Sequence, residues 1–336
     1  MSDAGWTLHH ARLHRVLRAL RDTRKGSRQL LPKNGRLLVA VSGGQDSLCL
    51  MRLLLDLQPK WSWELAIAHC NHRWRPDAAD NAAYMEEVAQ AWQVPYFCKT
   101  AVEIPTSEAA ARAWRYGALA EMAIAEGYES VVTGHTKIDR AETTLYNLLR
   151  GSGADGLQAL SWQRELVPGI MLVRPLLEMT RTETAEFCRV FHLKVWEDST
   201  NQDLHYARNR IRQELMPYLQ THFNPQVEQA LAQTAELLTA DVDYLEQTAA
   251  DLLQKSCSQS GLNRSILQSM PLALQRRVVR QFLQKILPTA PSFDHVEKLV
   301  GLIAAPNRSQ CDPFPGGAIA QVEGDWIRIR VQHSEG

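Results

Sequence analysis

Residues 36–47 read Arg-Leu-Leu-Val-Ala-Val-Ser-Gly-Gly-Gln-Asp-Ser, and the organisation of the whole chain follows from them. The apolar run from Leu37 to Val41 is typical of a buried strand. Ser42 and two glycines then predict a tight loop. Apolar residues between Leu48 and about Leu57 recur at helical spacing. The stretch therefore predicts a strand, a glycine loop and the start of a helix.

Such a loop favours the binding of an anion. Gly43 and Gly44 lack a Cβ atom, so backbone N–H groups can close around a phosphate, and the helix points its positive end at the same place. Ser42 and Ser47 add hydroxyl groups. The carboxylate of Asp46 suits a phosphate site if a Mg²⁺ ion lies between the two. An ordinary glycine turn that caps a helix is the plainer alternative.

The loop differs from the two common nucleotide-binding loops. A Walker loop has Lys after its last glycine, a dinucleotide fingerprint has three spaced glycines, and this sequence has neither. The order S-G-G-x-D-S between strand and helix instead resembles the pyrophosphate loop of the N-type ATP pyrophosphatases. The resemblance implies that ATP is bound by Ser42, Gly43, Gly44, Gln45, Asp46 and Ser47 and cleaved between its α and β phosphates.

Length and composition limit the remaining possibilities. The 336 residues predict two or three domains. Basic and acidic residues number 37 each, so any contact with RNA must use local patches. Six scattered cysteines without a C-x-x-C pair argue against a zinc ribbon, an iron–sulfur cluster or a disulfide framework. With neither a signal-peptide core nor an apolar run of membrane length, we expect no membrane partner and a cytoplasmic protein.

Further strands and helices are predicted by apolar periodicity. Strands are expected at 65–70, 94–98 and 130–133, and helices at 5–30, 80–92, 106–126 and 224–254, with Thr106 as the cap of the third helix. The glycine-rich segment 151–156 is predicted to be a flexible loop. Polar residues follow the strand at 65–70, at the end where open α/β sheets bind ligands. His69 is therefore a candidate nucleotide contact, although a lone histidine is more often a surface residue.

Paired charges mark two candidate sites for chemistry. Arg112 and Arg115 share a helix face and suit a phosphate or carboxylate, unless that face is simply solvated. Asp139 and Glu142 share the first turn of a helix, with His135 shortly before them. Two carboxylates there can hold Mg²⁺ or an incoming ammonium group, whereas an acidic first turn that complements the helix dipole is the alternative.

Basic residues follow a predicted loop at 198–201. Arg208 and Arg212 share a helix face, Arg210 points elsewhere, and Tyr206 precedes them. Arginines beside an aromatic ring are typical of RNA binding. A salt-bridged structural helix explains Arg210 and Arg212 equally well. Further arginines cluster at Arg276 and Arg277, within a helix predicted over 265–287.

Taken in order, the motifs of residues 36–217 resemble those of the tRNA(Ile)-lysidine synthetases. They are S-G-G-Q-D-S, H-C-N-H-x-x-R, A-R-x-x-R-Y, T-G-H-T-x-x-D-x-A-E-T, R-G-S-G-x-x-G-L, R-P-L-L and W-E-D-S-T-N-x-D-x-x-Y-x-R-N-R-I-R. The sequence departs from the family pattern H-x-x-D-D-Q, because Ile138 and Arg140 replace its first Asp and its Gln. Trp74 stands where the family usually has Leu.

The residues and the resemblance together predict the architecture. We expect an α/β fold with a doubly wound, mostly parallel sheet of the adenine-nucleotide α-hydrolase type, followed by a smaller, mainly helical domain with a C-terminal β-hairpin. The predicted catalytic domain covers 1–217, with a helical extension at 1–30. A linker helix is predicted at 218–255 and a tRNA-binding domain at 256–336, whose hairpin strands lie at 318–322 and 326–331.

The family implies a ligase that forms lysidine. Such enzymes use ATP to adenylate the wobble cytidine in the CAU anticodon of tRNA(Ile), and free L-lysine then displaces AMP. The modified base pairs with A rather than G, which changes the codon read from AUG to AUA. A tRNA thiolase on the same fold and an inert tRNA- or nucleotide-binding protein are the alternatives. The sequence leaves a homodimer open.

The resemblance also implies roles for individual residues. The predicted catalytic residues are Asp46, Asp139, Glu142, Arg115, His135 and Arg208. Asp46 and Asp139 would hold Mg²⁺, and Asp139 with Glu142 would position the metal or the lysine ammonium. The remaining predicted contacts are His69 for the nucleotide and Arg210, Arg212, Arg276 and Arg277 for RNA.

Overall fold

The computed structural model describes residues 7–19, 29–196, 203–258 and 261–331. The loop predicted at 198–201 lies outside the described residues. The chain divides into two compact units, Met1–Thr239 and Ala240–Gly336. In the described ranges, no helix combines the length and the apolar character needed to cross a membrane.

The first unit is built on a six-stranded sheet. Its strands are β1 (Arg36–Ala40), β2 (Glu64–Asn71), β3 (Tyr96–Thr100), β4 (Ser130–Thr133), β5 (Gln163–Val167) and β6 (Ile170–Val173). They are ordered β3-β2-β1-β4-β6-β5, and all neighbours are parallel except β5 and β6. The predicted mostly parallel α/β sheet is confirmed.

Helices surround the sheet in the first unit. They are α1 (Leu8–Arg18), α2 (Gln45–Trp61), α3 (Ala78–Trp92), α4 (Glu108–Glu126), α5 (Lys137–Leu149), α6 (Ala154–Leu157), α7 (Arg181–Val190), α8 (Ala207–Arg210) and α9 (Met216–His222), and a π-helical turn, Ile211–Leu215, joins α8 to α9. Helix α10 (Val227–Ser256) begins in the first unit and ends in the second.

Strand β1 is buried on both faces, which explains its unbroken apolar sequence. Leu37 and Val39 pack into one core with α2, whereas Leu38 packs into a second core with Leu119 of α4. This alternation is the two-residue period of a strand. It places helices on both faces of the sheet, as a doubly wound fold requires.

Several element boundaries differ from the prediction. Helix α4 begins at Glu108 and is capped by Ser107, whose Oγ accepts a hydrogen bond from Ala110 N at 3.1 Å, so the predicted cap at Thr106 was wrong. The glycine-rich segment 151–156 was predicted as a loop, but it includes the start of helix α6. The β5–β6 hairpin was not predicted at all.

The second unit combines a small antiparallel sheet with three further helices. Its strands are β7 (Cys257–Ser258), β8 (Gly261–Asn263), β9 (Ala318–Glu323) and β10 (Trp326–Val331), ordered β7-β8-β10-β9, and its helices are α11 (Arg264–Gln268), α12 (Leu272–Ile286) and α13 (Phe293–Gly301). The predicted C-terminal hairpin is confirmed, because Trp326 pairs with Glu323. The single helix predicted over 265–287 was wrong, since α11 ends at Gln268 and a second helix, α12, begins after its N-cap Pro271.

Candidate functional site

The candidate site lies where the strand order reverses. β1 has β2 on one side and β4 on the other, so the connections after β1 and β4 leave the sheet in opposite directions. In open α/β sheets a crevice forms at that point, at the carboxyl ends of the strands. A cleft of about 970 Å³ opens here. The predicted site residues that line it are Ser42, Gly44, Gln45, Asp46, Ser47, His69, Arg115, His135, Asp139, Arg208 and Arg212.

The loop after β1 is held by its own hydrogen bonds. Ser42 N donates to Ser47 Oγ at 3.2 Å, and Ser47 Oγ donates to the carbonyl of Gly44 at 2.9 Å. Gly44 is the N-cap of α2, and no side chain caps that helix start. The first N–H groups of α2 therefore lack a side-chain acceptor and can receive a phosphate from the cleft.

Two residues outside the motif hold Gly43 in place. The φ angle of Gly43 is +89°, and a Cβ atom on it would lie 2.7 Å from Asn81 Oδ1 and 3.2 Å from Trp196 Cβ. Asn81 Nδ2 donates to Ser42 O, and Trp196 N donates to Gly43 O. Only glycine fits this backbone. Sequence reasoning missed Asn81, whereas Trp196 opens a motif that it quoted.

Asp46 is anchored to helix α7. Thr184 Oγ1 donates to Asp46 Oδ1 at 2.5 Å, and Gln45 Nε2 donates to the carbonyl of Arg181 at 2.8 Å. Burial raises the pKa of Asp46, against the opposing effect of the Thr184 hydrogen bond. The side chain of Gln45 is thus directed to α7, and any contact it makes with ATP is left to its backbone. Sequence reasoning missed Thr184, because nothing local marks it.

Gly134 lets the segment after β4 approach the start of α2. A Cβ atom on Gly134 would lie 2.8 Å from the backbone oxygen of Asp46, and backbone cannot move aside cheaply. We expect Gly134→Ala to lower the free energy of unfolding by about 1–3 kcal/mol. Gly117→Ala, inside α4 with nothing within 4 Å, is the matched control and should stabilise by about 0.5–1 kcal/mol. Equal urea midpoints for the two variants would contradict the close approach.

Four charged side chains form a cluster at one side of the cleft. Arg208 Nη2 donates to Asp139 Oδ1 at 2.7 Å, and Arg208 Nε donates to Glu142 Oε2 at 3.1 Å. Arg212 Nε donates to Glu142 Oε1 at 2.5 Å, and its Nη2 reaches Asp139 Oδ1 at 3.1 Å. The side chain of Glu142 is fully buried. Two guanidinium groups and two carboxylates balance their charges here.

Asp139 has a second, structural partner. Its Oδ2 accepts hydrogen bonds from Thr136 N at 2.8 Å and Thr136 Oγ1 at 3.0 Å, which closes a capping box at the start of α5. Burial alone would raise the pKa of Asp139, but the charges of Arg208 and Arg212 and the hydrogen bond from Thr136 N outweigh it and hold that pKa well below its ordinary value. Asp139 is therefore ionised at neutral pH. Its place in the first turn of α5 also fits the alternative interpretation, an acidic residue that complements the helix dipole.

His135 is held in its neutral form. Burial is the main cause that lowers its pKa to about 3, assisted by Arg174 and Arg208 and opposed by Asp139. Its Nδ1 lies 2.9 Å from Thr133 Oγ1. At neutral pH the ring can therefore serve only as a neutral donor or acceptor towards a base or phosphate.

This shift predicts a pH dependence of stability. Between the ordinary pKa of 6.5 and the folded value of about 3, the unfolded chain binds a proton at His135 that the folded chain does not. Stability therefore falls as the pH is lowered from 7.5 to 5. His135→Asn should remove about 1–2 kcal/mol of that loss, measured by urea denaturation at both pH values. Identical losses in the two proteins would show that His135 does not titrate this way.

His69 and Arg115 also line the cleft. His69 is 2% exposed, its Nδ1 lies 2.9 Å from the carbonyl oxygen of Val41, and burial lowers its pKa. Since a carbonyl only accepts, Nδ1 carries the proton and Nε2 remains an acceptor. Arg115 Nε donates to His72 Nε2 at 3.1 Å. Trp74, the departure from the family pattern, stacks its ring on Tyr206 at 6.1 Å.

The acidic residues fit a Mg²⁺ ion. Within the described ranges no three His, Cys, Asp or Glu residues form a group that could hold a metal by themselves. Mg²⁺ is usually held by only one or two carboxylates together with substrate phosphates. Asp46 and Asp139 both line the cleft, and the charge of Asp139 raises the pKa of Asp46. A cation between them would relieve that repulsion.

The predicted RNA contacts all have protein partners. Arg210 Nη1 donates to the carbonyls of Leu204 and His205, each at 2.8 Å. Arg212 is directed into the carboxylate cluster, where it pairs with Asp139 and Glu142. In the second unit, Arg276 pairs with Glu297 at 2.7 Å, and Arg277 pairs with Glu246 at 3.3 Å. Their roles in RNA binding stay predictions.

Comparison with known sequences covers both units. Residues 13–219 match the family model of a PP-loop domain, and residues 262–330 match that of a TilS substrate binding domain. A protein of Nostoc sp. named tRNA(Ile)-lysidine synthase is 61% identical over 341 residues, which cover 97% of each chain. One of the same name from Synechocystis sp. is 52% identical over 335 residues, which cover 97% of this chain and 99% of its own.

One solved structure has a similar fold over about two thirds of the chain. The U34-tRNA thiolase NcsA from Methanococcus maripaludis, with its 4Fe–4S cluster, superposes with a TM-score of 0.57 over 69% of this chain and 78% of that chain. The two sequences are 16% identical, so the likeness concerns the fold alone. It agrees with a sheet of the adenine-nucleotide α-hydrolase type.

Proposed function

This chain belongs to the tRNA(Ile)-lysidine synthase family, whose PP-loop domain uses ATP to modify tRNA(Ile), and from that premise we propose its reaction in detail. The pyrimidine carbonyl oxygen of the wobble cytidine, in a CAU anticodon, attacks the α-phosphate of ATP, and pyrophosphate leaves. The ε-amine of free L-lysine then attacks the adenylated carbon, and AMP leaves with the oxygen. The product, lysidine, pairs with A instead of G, so the codon read changes from AUG to AUA.

One observation supports this proposal above the others. The loop Ser42–Ser47 and the carboxylate of Asp139 come from different strands, yet they line one cleft at the switch point of the sheet. Uncapped amides at the start of α2 would hold the pyrophosphate end of ATP. Phosphoryl-group chemistry requires positioning and charge neutralisation more than covalent help from the protein, and this cleft supplies both.

We assign Mg²⁺ to Asp46 and Asp139, between the loop and α5. When bound, the ion would neutralise charge on the phosphates of ATP. Arg115 and Arg208 both line the cleft and would stabilise the charge of the adenylated base. Since Arg208 is 29% exposed at its side chain, it can exchange a carboxylate partner for a phosphate without leaving the site.

The second step requires a neutral amine. Lysine arrives as an ammonium ion, and only after it loses a proton can its nitrogen attack. Asp139 is the less buried of the two carboxylates, with 13% of its side chain exposed, whereas Glu142 is fully enclosed. We therefore assign the contact with the ammonium group to Asp139, and the task of holding Arg208 and Arg212 to Glu142. On the sequence alone, Asp139 and Glu142 were given the same role, whereas here each carboxylate has a separate one.

We propose that the second unit binds the tRNA, because residues 262–330 match a substrate binding domain. The predicted domain boundary at 217, the homodimer and the cytoplasmic location stay predictions.

An incorporation assay tests the proposed function. The protein is incubated with ATP, labelled lysine and a tRNA(Ile) transcript with a CAU anticodon, and a transcript with a UAU anticodon is the control. We expect lysine to enter only the CAU transcript, with one AMP released for each lysine. AMP release that depends on a sulfur donor would support the thiolase instead. Binding of tRNA without any AMP release would support an inert binding protein.

A further inference from the structure

Arg140 lies between the two carboxylates of helix α5 but points away from the cleft. It is 3% exposed, and it stands where the family pattern has Gln. Helical geometry sets it about 100° from Asp139 and about 200° from Glu142 around the helix axis. A buried guanidinium group requires a charged partner, so this departure calls for a compensating acid elsewhere in the chain.

That acid is Glu236, in the part of α10 that belongs to the first unit. Arg140 Nη1 donates to Glu236 Oε2 at 2.5 Å. The same carboxylate accepts a hydrogen bond from Trp162 Nε1, at 2.9 Å to Oε2 and 3.1 Å to Oε1. Glu236 therefore joins α5, the residue before β5 and α10 at one point. Lys137 at the start of α5 adds a second link to α10, since its Nζ donates to Gln229 Oε1.

These contacts fix the rotation of α5. Any turn of the helix about its axis moves Asp139 and Glu142 together, because both project from its first two turns. The arginines of the charge cluster hold the helix from the cleft side, and Arg140 holds it from the other side. Without Arg140, the capping box, the link from Lys137 to α10 and the core packing of α5 would remain, together with the arginine contacts that the substrates themselves would disturb.

We propose that Arg140 is a positioning residue of the ligase: through its ion pair with Glu236, it holds Asp139 and Glu142 at the angle that the reaction requires. This inference rests on the proposed function, because it assigns the two carboxylates to lysidine formation. It also explains the departure from the family pattern, since a glutamine at this position carries no charge to pair with Glu236.

Four proteins test the proposal: the wild type, Arg140→Gln, Glu236→Gln and the double variant. The kcat and KM of lysidine formation and the thermal midpoint are measured for each. Both single variants should lose kcat by about tenfold or more, whereas the KM for ATP should change less, because the loop Ser42–Ser47 that would hold the pyrophosphate end of ATP is not touched. The midpoint of Glu236→Gln should fall, since it leaves the guanidinium group of Arg140, whose side chain is 3% exposed, without its carboxylate partner. The midpoint of Arg140→Gln should fall less, because the side chain of Glu236 is 45% exposed and can be hydrated.

The double variant separates positioning from stability. It leaves no unpaired buried charge, so its thermal midpoint should return towards the wild type while kcat stays low. Recovery of kcat together with the midpoint would overturn the proposal and leave Arg140 a purely structural residue. Single variants that retain wild-type kcat would overturn it as well.

Two further variants serve as controls in case a substitution prevents folding. Arg140→Lys keeps the charge and should have a kcat between the wild type and Arg140→Gln, and a kcat no higher than that of Arg140→Gln would overturn the proposal. Glu64→Gln breaks an exposed pair with Arg36, in which Arg36 Nε and Glu64 Oε2 lie 2.8 Å apart, and should leave kcat unchanged. If the wild type forms no lysidine, the proposed function fails. If the wild type is active and the Arg140 and Glu236 variants are equally active, only this inference fails.

Discussion

Asp46→Asn is expected to reduce the rate of lysidine formation by about 10²–10³-fold. The variant keeps the size of the side chain and an oxygen for the hydrogen bond from Thr184, so the loop and α2 should stay folded. It removes the negative charge that would hold Mg²⁺ against the phosphates. Single-turnover kinetics with saturating ATP and tRNA measure the loss.

The control for this variant is Glu87→Gln, which removes one carboxylate from an exposed position on α3. It should turn over at the wild-type rate. If Asp46→Asn kept a rate within about threefold of the wild type, charge at this position would not contribute to the reaction, and the assignment of Mg²⁺ to Asp46 would be wrong.

Gly43→Ala should be the second most damaging change. A side chain here must adopt a φ of +89°, and its Cβ would collide with Asn81 Oδ1 at 2.7 Å. The left-handed backbone alone costs about 1–2 kcal/mol. Because the collision pushes the loop away from its phosphate-binding shape, we also expect the rate of adenylation to fall by more than about 10²-fold.

Gly169→Ala separates these two effects. Gly169 lies in the turn between β5 and β6 with a φ of +84°, and no atom lies within 4 Å of the place that a Cβ would take, so the variant carries the backbone cost alone. It should lose stability and retain activity, measured by urea denaturation and by pyrophosphate release. If both variants lost activity equally, the loop would not have the special role that is assigned to it.

The sequence predicts the centre of the fold well because local patterns are strong there. The apolar run of β1, the glycine loop and the stripe of α2 each report directly on a buried element. The β5–β6 hairpin was missed because Gln163, Arg164 and Glu165 make β5 a polar edge strand, which apolar periodicity does not reveal. The cap of α4 was misplaced by one residue, since Thr106 and Ser107 have the same capping chemistry.

The sequence predicted those residues of the candidate site that directly follow a strand. Asp46 and Asp139 follow different strands, and a parallel sheet brings such positions to one edge. The partners of these residues were not predictable, because they are distant in sequence. Thr184 lies 138 positions from Asp46, and Arg212 lies 70 positions from Glu142. Their meeting depends on how α7 and the π-helical turn pack, which no local pattern encodes.

The most direct test follows the α-phosphate of ATP. ATP labelled at that phosphorus is incubated with the protein and the CAU transcript, with no lysine present, and the tRNA is then isolated. The account predicts that label appears on the tRNA, is lost as AMP when lysine is added, and does not appear with Gly43→Ala. Label found on the protein, or none on the tRNA while lysidine still forms, would contradict a transfer of the phosphorus from the loop to the cytidine.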